Sequence, residues 1–255
     1  MCRRARRHGA AALLVAALCV ASPRSAPAVV GGRDSDGPLA RSTVMVLSSR
    51  GGVCSGIVLT PEVVLTAAHC LKGASEHRVH FRGATGDPVL IAPAAQLAHP
   101  GYDAGAVAGR RRSIDLALLR LPEPLPARFS PATLSGAVPP KGAMVTLGGY
   151  GVLREGEAKS TGAFREAALA AVEPYGPGRV LLWLADPAGG GAGACLGDSG
   201  GPMAGPDFAI VAVTSWAKGG GRRACGEVSQ GILLGPQRAW IDGVLGSWNA
   251  RAAWR

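Results

Sequence analysis

Glycine and proline interrupt this chain so often that only short elements fit between them: 38 glycines and 19 prolines are spread over 255 residues. Between the interruptions lie apolar runs of strand length, many of them β-branched: Val44 to Leu47, Gly56 to Leu59, Val63 to Leu65, Leu116 to Leu121, Met144 to Leu147, Val180 to Leu184, Phe208 to Val213 and Ile232 to Leu234. Short apolar runs bounded by turn residues read as strands. Their spacing fits an all-β sandwich or barrel and argues against a βαβ protein. One segment departs from this pattern. After Gly235-Pro236 the apolar positions Trp240, Ile241, Val244, Leu245 and Trp248 recur at helical spacing, and Pro236 suits a first helical turn. Gly243 and Gly246 each weaken that helix by about 1 kcal/mol.

With 47% hydrophobic residues the chain can bury a sizeable core, as one large domain or two small ones. Residues 1–28 read as a secretory signal peptide, with a basic stretch (Arg3 to His8), an apolar stretch (Gly9 to Ala21) too short to span a bilayer, and a region containing Pro and Ser. Cys19 follows Leu18, not a small residue, which argues against lipidation. The formal charge of +10 falls to +5 without the leader, since five of the 27 basic residues leave and 22 face 17 acidic ones. A charge that small reads as a solvated surface, so no nucleic acid and no stable membrane association are expected. The expected product is exported, to the medium or a periplasm.

Cys2 and Cys19 leave with the leader, so four cysteines remain in an oxidising compartment, and four cysteines allow three pairings. No CxxC pair or histidine cluster competes as a metal site.

Three segments carry chemistry, in the order Leu65-Thr66-Ala67-Ala68-His69-Cys70, Asp115-Leu116-Ala117-Leu118-Leu119-Arg120-Leu121 and Gly197-Asp198-Ser199-Gly200-Gly201-Pro202. A serine hydroxyl is a poor nucleophile at neutral pH and needs a base in reach, itself held by a third group. The three segments resemble the histidine, aspartate and nucleophile segments of the trypsin/chymotrypsin family of serine proteases, in that family's chain order. The resemblance extends from Val29 to the C-terminus. It implies two six-stranded antiparallel Greek-key barrels, the first over about 29–135 and the second over about 136–235, with a C-terminal α-helix over about 236–248.

The resemblance implies a serine endopeptidase that acts on polypeptides through an acyl-enzyme, without cofactor, as a monomer open to protein inhibitors. Ser199 is then the nucleophile, His69 the base and acid, and Asp115 the orienting carboxylate. Gly197 and Ser199 would supply oxyanion-hole N–H groups. Ser215 would sit against the aspartate and open, with Trp216, the strand on which substrate pairs. Cys54 would pair with Cys70, and Cys195 with Cys225. The competing class is a catalytically silent binding protein of the same fold, whose usual signature, a replaced Ser, His or Asp, is absent here.

Val29-Val30-Gly31-Gly32 resembles the family's mature amino terminus, whose ammonium would pair with Asp198. It is preceded by Ala26-Pro27-Ala28, not by Arg or Lys. Ala-x-Ala fits a signal peptidase site, so export itself is expected to create Val29, with no zymogen. Six positions before Ser199, where trypsin-like enzymes carry an acid, stands Gly193, followed by Ala194. With walls assigned to Ala217 and Gly231, the P1 pocket is uncharged and suits small to medium apolar side chains instead of Arg or Lys.

Two longer loops carry Arg110-Arg111-Arg112 and Arg222-Arg223, read as solvated loops that could favour acidic residues upstream of the cut. The segment Gly83 to Leu97 has Asp87 as its single acid, too few oxygens for calcium, so no metal is expected. His77, His80 and His99 read as surface or strand residues. Trp183 and Trp240 read as core or helix packing.

Overall fold

The computed structural model describes residues 29–73, 76–106, 109, 111–176 and 178–255. The expected leader of residues 1–28, Arg110 and a few loop positions lie outside them. The described chain opens on a two-residue strand β1 (Arg33–Asp34) and a single helical turn α1 (Pro38–Arg41). Seven strands follow: β2 (Thr43–Ser48), β3 (Val53–Thr60), β4 (Val63–Thr66), β5 (His77–Arg82), β6 (Pro88–Ile91), β7 (Ala95–Ala98) and β8 (Ala117–Arg120). They form one sheet in the order β6-β5-β2-β3-β4-β8-β7, every pair antiparallel. Its two edge strands, β6 and β7, are consecutive in the chain. Ile91 and Ala95 can be no more than about 14 Å apart, so the sheet must curl until its edges nearly meet.

The second half supplies β9 (Thr133–Leu134), β10 (Met144–Gly149), β11 (Arg165–Val172), β12 (Leu181–Ala185), β13 (Pro202–Ala204), β14 (Ile210–Gly219), β15 (Gly226–Leu233), the helix α2 (Arg238–Ser247) and β16 (Ala253–Trp254). Strands β13, β10, β11, β12, β15 and β14 pair in that order, and β14 pairs back to β13, so six antiparallel strands close on themselves. The short strands β1, β9 and β16 are added to this second sheet. Residues 33–34 and 133–134, both inside the span expected for the first barrel, therefore pair with the second.

Strand β1 is held to β11 by reciprocal charges: Arg33 pairs with Glu166 at 2.7 Å and Arg165 with Asp34, in the register Arg33 opposite Glu166 and Asp34 opposite Arg165. This clasp lies just after Val30 and fixes where the chain enters the fold. Each curled sheet has its own core: Val44, Val58, Val79 and Leu119 in the first, Leu147, Leu169, Leu184 and Met203 in the second. A third apolar cluster joins the halves, with Ile57, Leu65 and Leu118 from one side and Ile210, Val213 and Ile232 from the other. Helix α2 covers that seam with Ile241, Val244 and Leu245, as its apolar spacing predicts. Trp240 packs against the same cluster and meets His99 edge-on, with ring centroids 4.7 Å apart. Among the described residues no helix is long and apolar enough to cross a membrane.

Cys54 is bonded to Cys70, and Cys195 to Cys225, across sequence separations of 16 and 30. Closing loops of that size removes denatured-state entropy worth about 3 to 4 kcal/mol each. Replacing both Cys195 and Cys225 by Ala is expected to lower the unfolding free energy measured in urea by a matching amount and with it the midpoint, with an m value that rises as the denatured chain expands. A midpoint within experimental error of the parent would contradict this.

Candidate active site

The pairing of β4 with β8 builds the first half of the site. Thr66, the last residue of β4, lies opposite Ala117, the first of β8. The residues just past one strand and just before the other must therefore meet. His69 rides on the single 3-10 turn Ala68–Leu71 after β4, pinned by the Cys70 disulfide to β3. Asp115 stands two residues before β8. Its Oδ2 accepts a hydrogen bond from His69 Nδ1 at 2.6 Å, and its Oδ1 accepts the His69 backbone N–H at 2.8 Å. With Nδ1 donating to the carboxylate, the lone pair of Nε2 is left to act as a base.

The second half contributes a third bond to the same carboxylate: Ser215 Oγ donates to Asp115 Oδ2 at 2.6 Å. Ser215 can reach because the ladder slips there. Thr214 lies opposite Gly231 but Trp216 lies opposite Gln230, so Ser215 is the extra residue of a β-bulge, which re-aims its side chain. Burial works to raise the Asp115 carboxyl, yet the hydrogen bonds from His69 and Ser215 and the imidazole's charge outweigh it and hold the carboxyl below its ordinary value.

Ser199 lies in the turn between Cys195 and β13. Two of its four successive N–H groups are consumed: Asp198 N donates to Cys195 O within the turn at 3.1 Å, and Gly200 N to Thr214 O of β14 at 2.7 Å. The other two, Gly197 N and Ser199 N, have no protein acceptor among the described residues. This alternation needs a left-handed residue, and Gly197 takes φ +99°. Among the described residues no hydrogen bond joins Ser199 Oγ to His69, whose ring is bonded to Asp115. In unliganded sites this contact is commonly long and tightens with substrate.

Asp198 is fully buried, and its carboxylate accepts N–H bonds from Gly151 at 2.8 Å and Cys195 at 2.9 Å. Burial pushes its carboxyl up to about 7 against the lowering effect of those two bonds. Gly149 and Gly151 wall it so closely that any side chain at either would collide with it. Val29 is also fully buried, packed in the second core with Ala194 and Leu147, and Val30 O accepts Gly193 N at 2.8 Å. The segment is thus seated beside the residues that precede Ser199.

Of the expected pocket residues, Gly193, Ala194 and Ala217 lie together with Ser229, a hydroxyl missed in the sequence. Ser229 Oγ accepts the Ala194 N–H at 2.9 Å, and a Cβ on Gly193 would stand 3.0 Å from it. Gly231, assigned to the pocket wall from sequence, instead faces Met203 and the Val213 carbonyl inside the second barrel. Ser229 and Gly231 share one face of β15, but Ser229 lies opposite Ala217 at the pocket, whereas Gly231 lies opposite Thr214, two residues further along the strand.

Beside His69 runs a groove of about 990 Å³, lined by Tyr102, Tyr175, Leu181, Trp183, Trp216 and Arg112, among others. Trp183, expected in the core, meets Trp216 and Tyr175 edge-on at centroid distances of 6.3 and 5.4 Å and faces the groove. Arg111, also on its wall, is paired with Asp103 at 2.6 Å. Among the described residues the metal-ligating types that come within reach of one another are Cys54, His69 and Cys70, and the two sulfurs are bonded to each other.

The family model for trypsin matches residues 29–233. The chain belongs to the trypsin family. It is 29% identical over 245 residues to a trypsin-like protease of Streptomyces glaucescens, covering 86% of this chain and 84% of that one. It is 30% identical over 207 residues to hypodermin-B of Hypoderma lineatum, covering 75% and 78%. Among solved structures the fold is similar to human heparin binding protein, with a TM-score of 0.70, 21% identity and coverage of 85% of this chain and 96% of that one. It is also similar to neuropsin, a serine protease of mouse brain, with a TM-score of 0.69, 21% identity and coverage of 84% and 98%. The trypsin-family chain described here is a serine endopeptidase, a hydrolase of polypeptides.

Proposed function

We propose that this trypsin-family chain is a secreted endopeptidase whose chemistry is carried by Ser199, His69 and Asp115, and that it cleaves after small to medium uncharged residues. The observation that carries the triad is the carboxylate of Asp115, held by three hydrogen bonds from His69 and Ser215. Ser199 Oγ attacks the scissile carbonyl while His69 Nε2 takes its proton. Asp115 keeps the imidazole in the tautomer that can do so and stabilises the imidazolium that forms. Gly197 N and Ser199 N face the developing oxyanion. His69 returns the proton to the leaving amine, and water repeats the sequence on the acyl-enzyme. Such an enzyme releases its first product in a burst equal to the enzyme concentration when a nitrophenyl ester is the substrate; a linear trace from zero time would contradict the acyl-enzyme.

The pocket read beside Ser199 is built from Gly193, Ala194, Ala217 and the Ser229 hydroxyl, none of which offers a carboxylate to a cation. A panel of chromogenic peptides that differ at P1 alone is therefore expected to show kcat/KM at least tenfold higher for Ala, Val or Leu than for Arg or Lys. Preference for Arg or Lys would overturn the pocket assignment. Substrate would lie antiparallel along Ser215 to Ala217, with upstream side chains in the aromatic groove. Arg111 is already paired with Asp103, so among the described residues of that Arg-rich loop Arg112 is the one left to favour an acidic upstream residue, by no more than an exposed pair gives, at most about 1 kcal/mol.

Secretion, removal of residues 1–28 and pairing of the Val29 ammonium with Asp198 complete this reading. The family match beginning at residue 29 and the burial of Val29 support it. A monomer acting without cofactor or metal, and blocked by protein inhibitors that fill the same cleft, is the corresponding expectation for partners.

A further inference from the structure

The nucleophile turn is gripped from across the interface by one residue of the first barrel. Ser55, in the middle of β3, is fully buried. Its N–H donates to Ser199 O at 2.8 Å, and its hydroxyl lies 2.9 Å from Gly197 O and 2.9 Å from Tyr150 N. Tyr150 N is a donor, so it occupies an oxygen lone pair, and the single hydroxyl proton must go to Gly197 O. One residue thus fixes the carbonyls on both sides of Asp198, at a sequence separation of 142 from the glycine it holds. Thr66 Oγ1 secures Ser55 in turn, donating to Ser55 O at 2.8 Å.

The consequence concerns Gly197. Glycine in a left-handed conformation has little of its own to hold it there. Its preceding carbonyl, Leu196 O, accepts Val152 N at 2.8 Å, and its own carbonyl accepts the Ser55 hydroxyl. The Val152 bond holds the peptide plane that carries the Gly197 N–H and the Ser55 bond holds the next plane, so the rotation at Gly197 by which that N–H could swing is blocked from both sides. Preorganised donors cost no reorganisation when charge develops, whereas a donor free to swing must be reordered in every turnover.

We infer that Ser55 is a positioning residue for catalysis, which holds the Gly197 N–H in its oxyanion-binding orientation through the Gly197 carbonyl. The inference rests on the assignment of Gly197 and Ser199 to the oxyanion hole. Full deletion of an oxyanion donor lowers kcat by about 10² to 10³; releasing the donor without deleting it should cost less, about tenfold.

The test compares the parent enzyme with Ser55→Ala, all rates being divided by the concentration of Ser199 sites titrated with a fluorophosphonate. Ser55→Ala should lower kcat about tenfold, leave KM within twofold, and weaken a peptide boronic acid, which mimics the tetrahedral intermediate, by the same factor as kcat. A cleaved-product peptide should bind both forms equally. Ser55→Gly keeps the N–H bond to Ser199 O, deletes the hydroxyl, and should reproduce the kcat loss if the alanine variant folds poorly. Parent-like kcat per titrated site in either variant, or a rise in KM alone, overturns the role of Ser55, even if melting temperature falls. A parent protein that is folded but takes no fluorophosphonate on Ser199 overturns the active-site assignment instead.

Discussion

Replacing Ser199 by alanine is expected to lower kcat about a million-fold, with folding and substrate binding retained. His69→Ala should do the same, because a nucleophile without its base and a base without its nucleophile are equally idle. Combining the two should add almost nothing. Asp115→Asn is expected to cost less, about 10⁴-fold, because an amide leaves the ring in place but favours the wrong tautomer. The graded order follows from the geometry. Asp115 reaches the chemistry only through His69 Nδ1, 2.6 Å away, whereas Ser199 forms the bond itself. Steady-state rates on a chromogenic peptide, with circular dichroism as a folding control, check this; a Ser199→Ala protein with more than about a thousandth of parental activity contradicts it.

The second large effect concerns the amino terminus. Asp198 is fully buried, and without a cation its carboxyl stands at about 7. A carboxyl whose folded pKa lies above its unfolded value of 3.8 takes up a proton on folding. A chain still extended before Val29 therefore keeps its stability below about pH 4 and loses it as pH rises toward 7. About three pKa units at about 1.4 kcal/mol each give a loss of about 4 kcal/mol. A free Val29 ammonium reverses the sign, since it stabilises the ionised carboxylate and removes that loss at neutral pH. Protein beginning at Val29 should thus exceed protein retaining even Ala28 by about 10² to 5 × 10³-fold in kcat/KM, the factor expected when a buried pair of about 3 to 5 kcal/mol is broken. Its activity should fade at alkaline pH as the ammonium loses its proton, and Asp198→Asn should resemble the extended form. Equal activity of the two forms at pH 7.5, with N-termini verified by mass spectrometry, would contradict the pairing.

The sequence was most informative where chemistry sits in continuous segments. His69, Asp115 and Ser199 each lie in a segment whose neighbours mark it, and the strands that bring two of them together, β4 and β8, are built on the apolar runs Val63 to Leu65 and Leu116 to Leu119. The helix after Pro236 was legible for the same reason, since its apolar spacing is local. What escaped depends on pairings between distant strands. Ser229 and Gly231 are two residues apart on one face of one strand, and only the register that sets Ser229 opposite Ala217 decides which of them meets Gly193. Trp183 could not be assigned to core or groove without knowing that β12 lies beside β15 and the end of β14. Ser55 reads in sequence as one small residue within an apolar strand. Its role exists only because β3 of one barrel faces the nucleophile turn of the other.

The most direct test of the account is peptide mapping by mass spectrometry after reaction with a fluorophosphonate. One adduct per molecule is expected, on Ser199, formed rapidly by protein that begins at Val29 and lost in Ser199→Ala and His69→Ala. Folded protein beginning at Val29 that takes up no label, or takes it up at another residue, would contradict it.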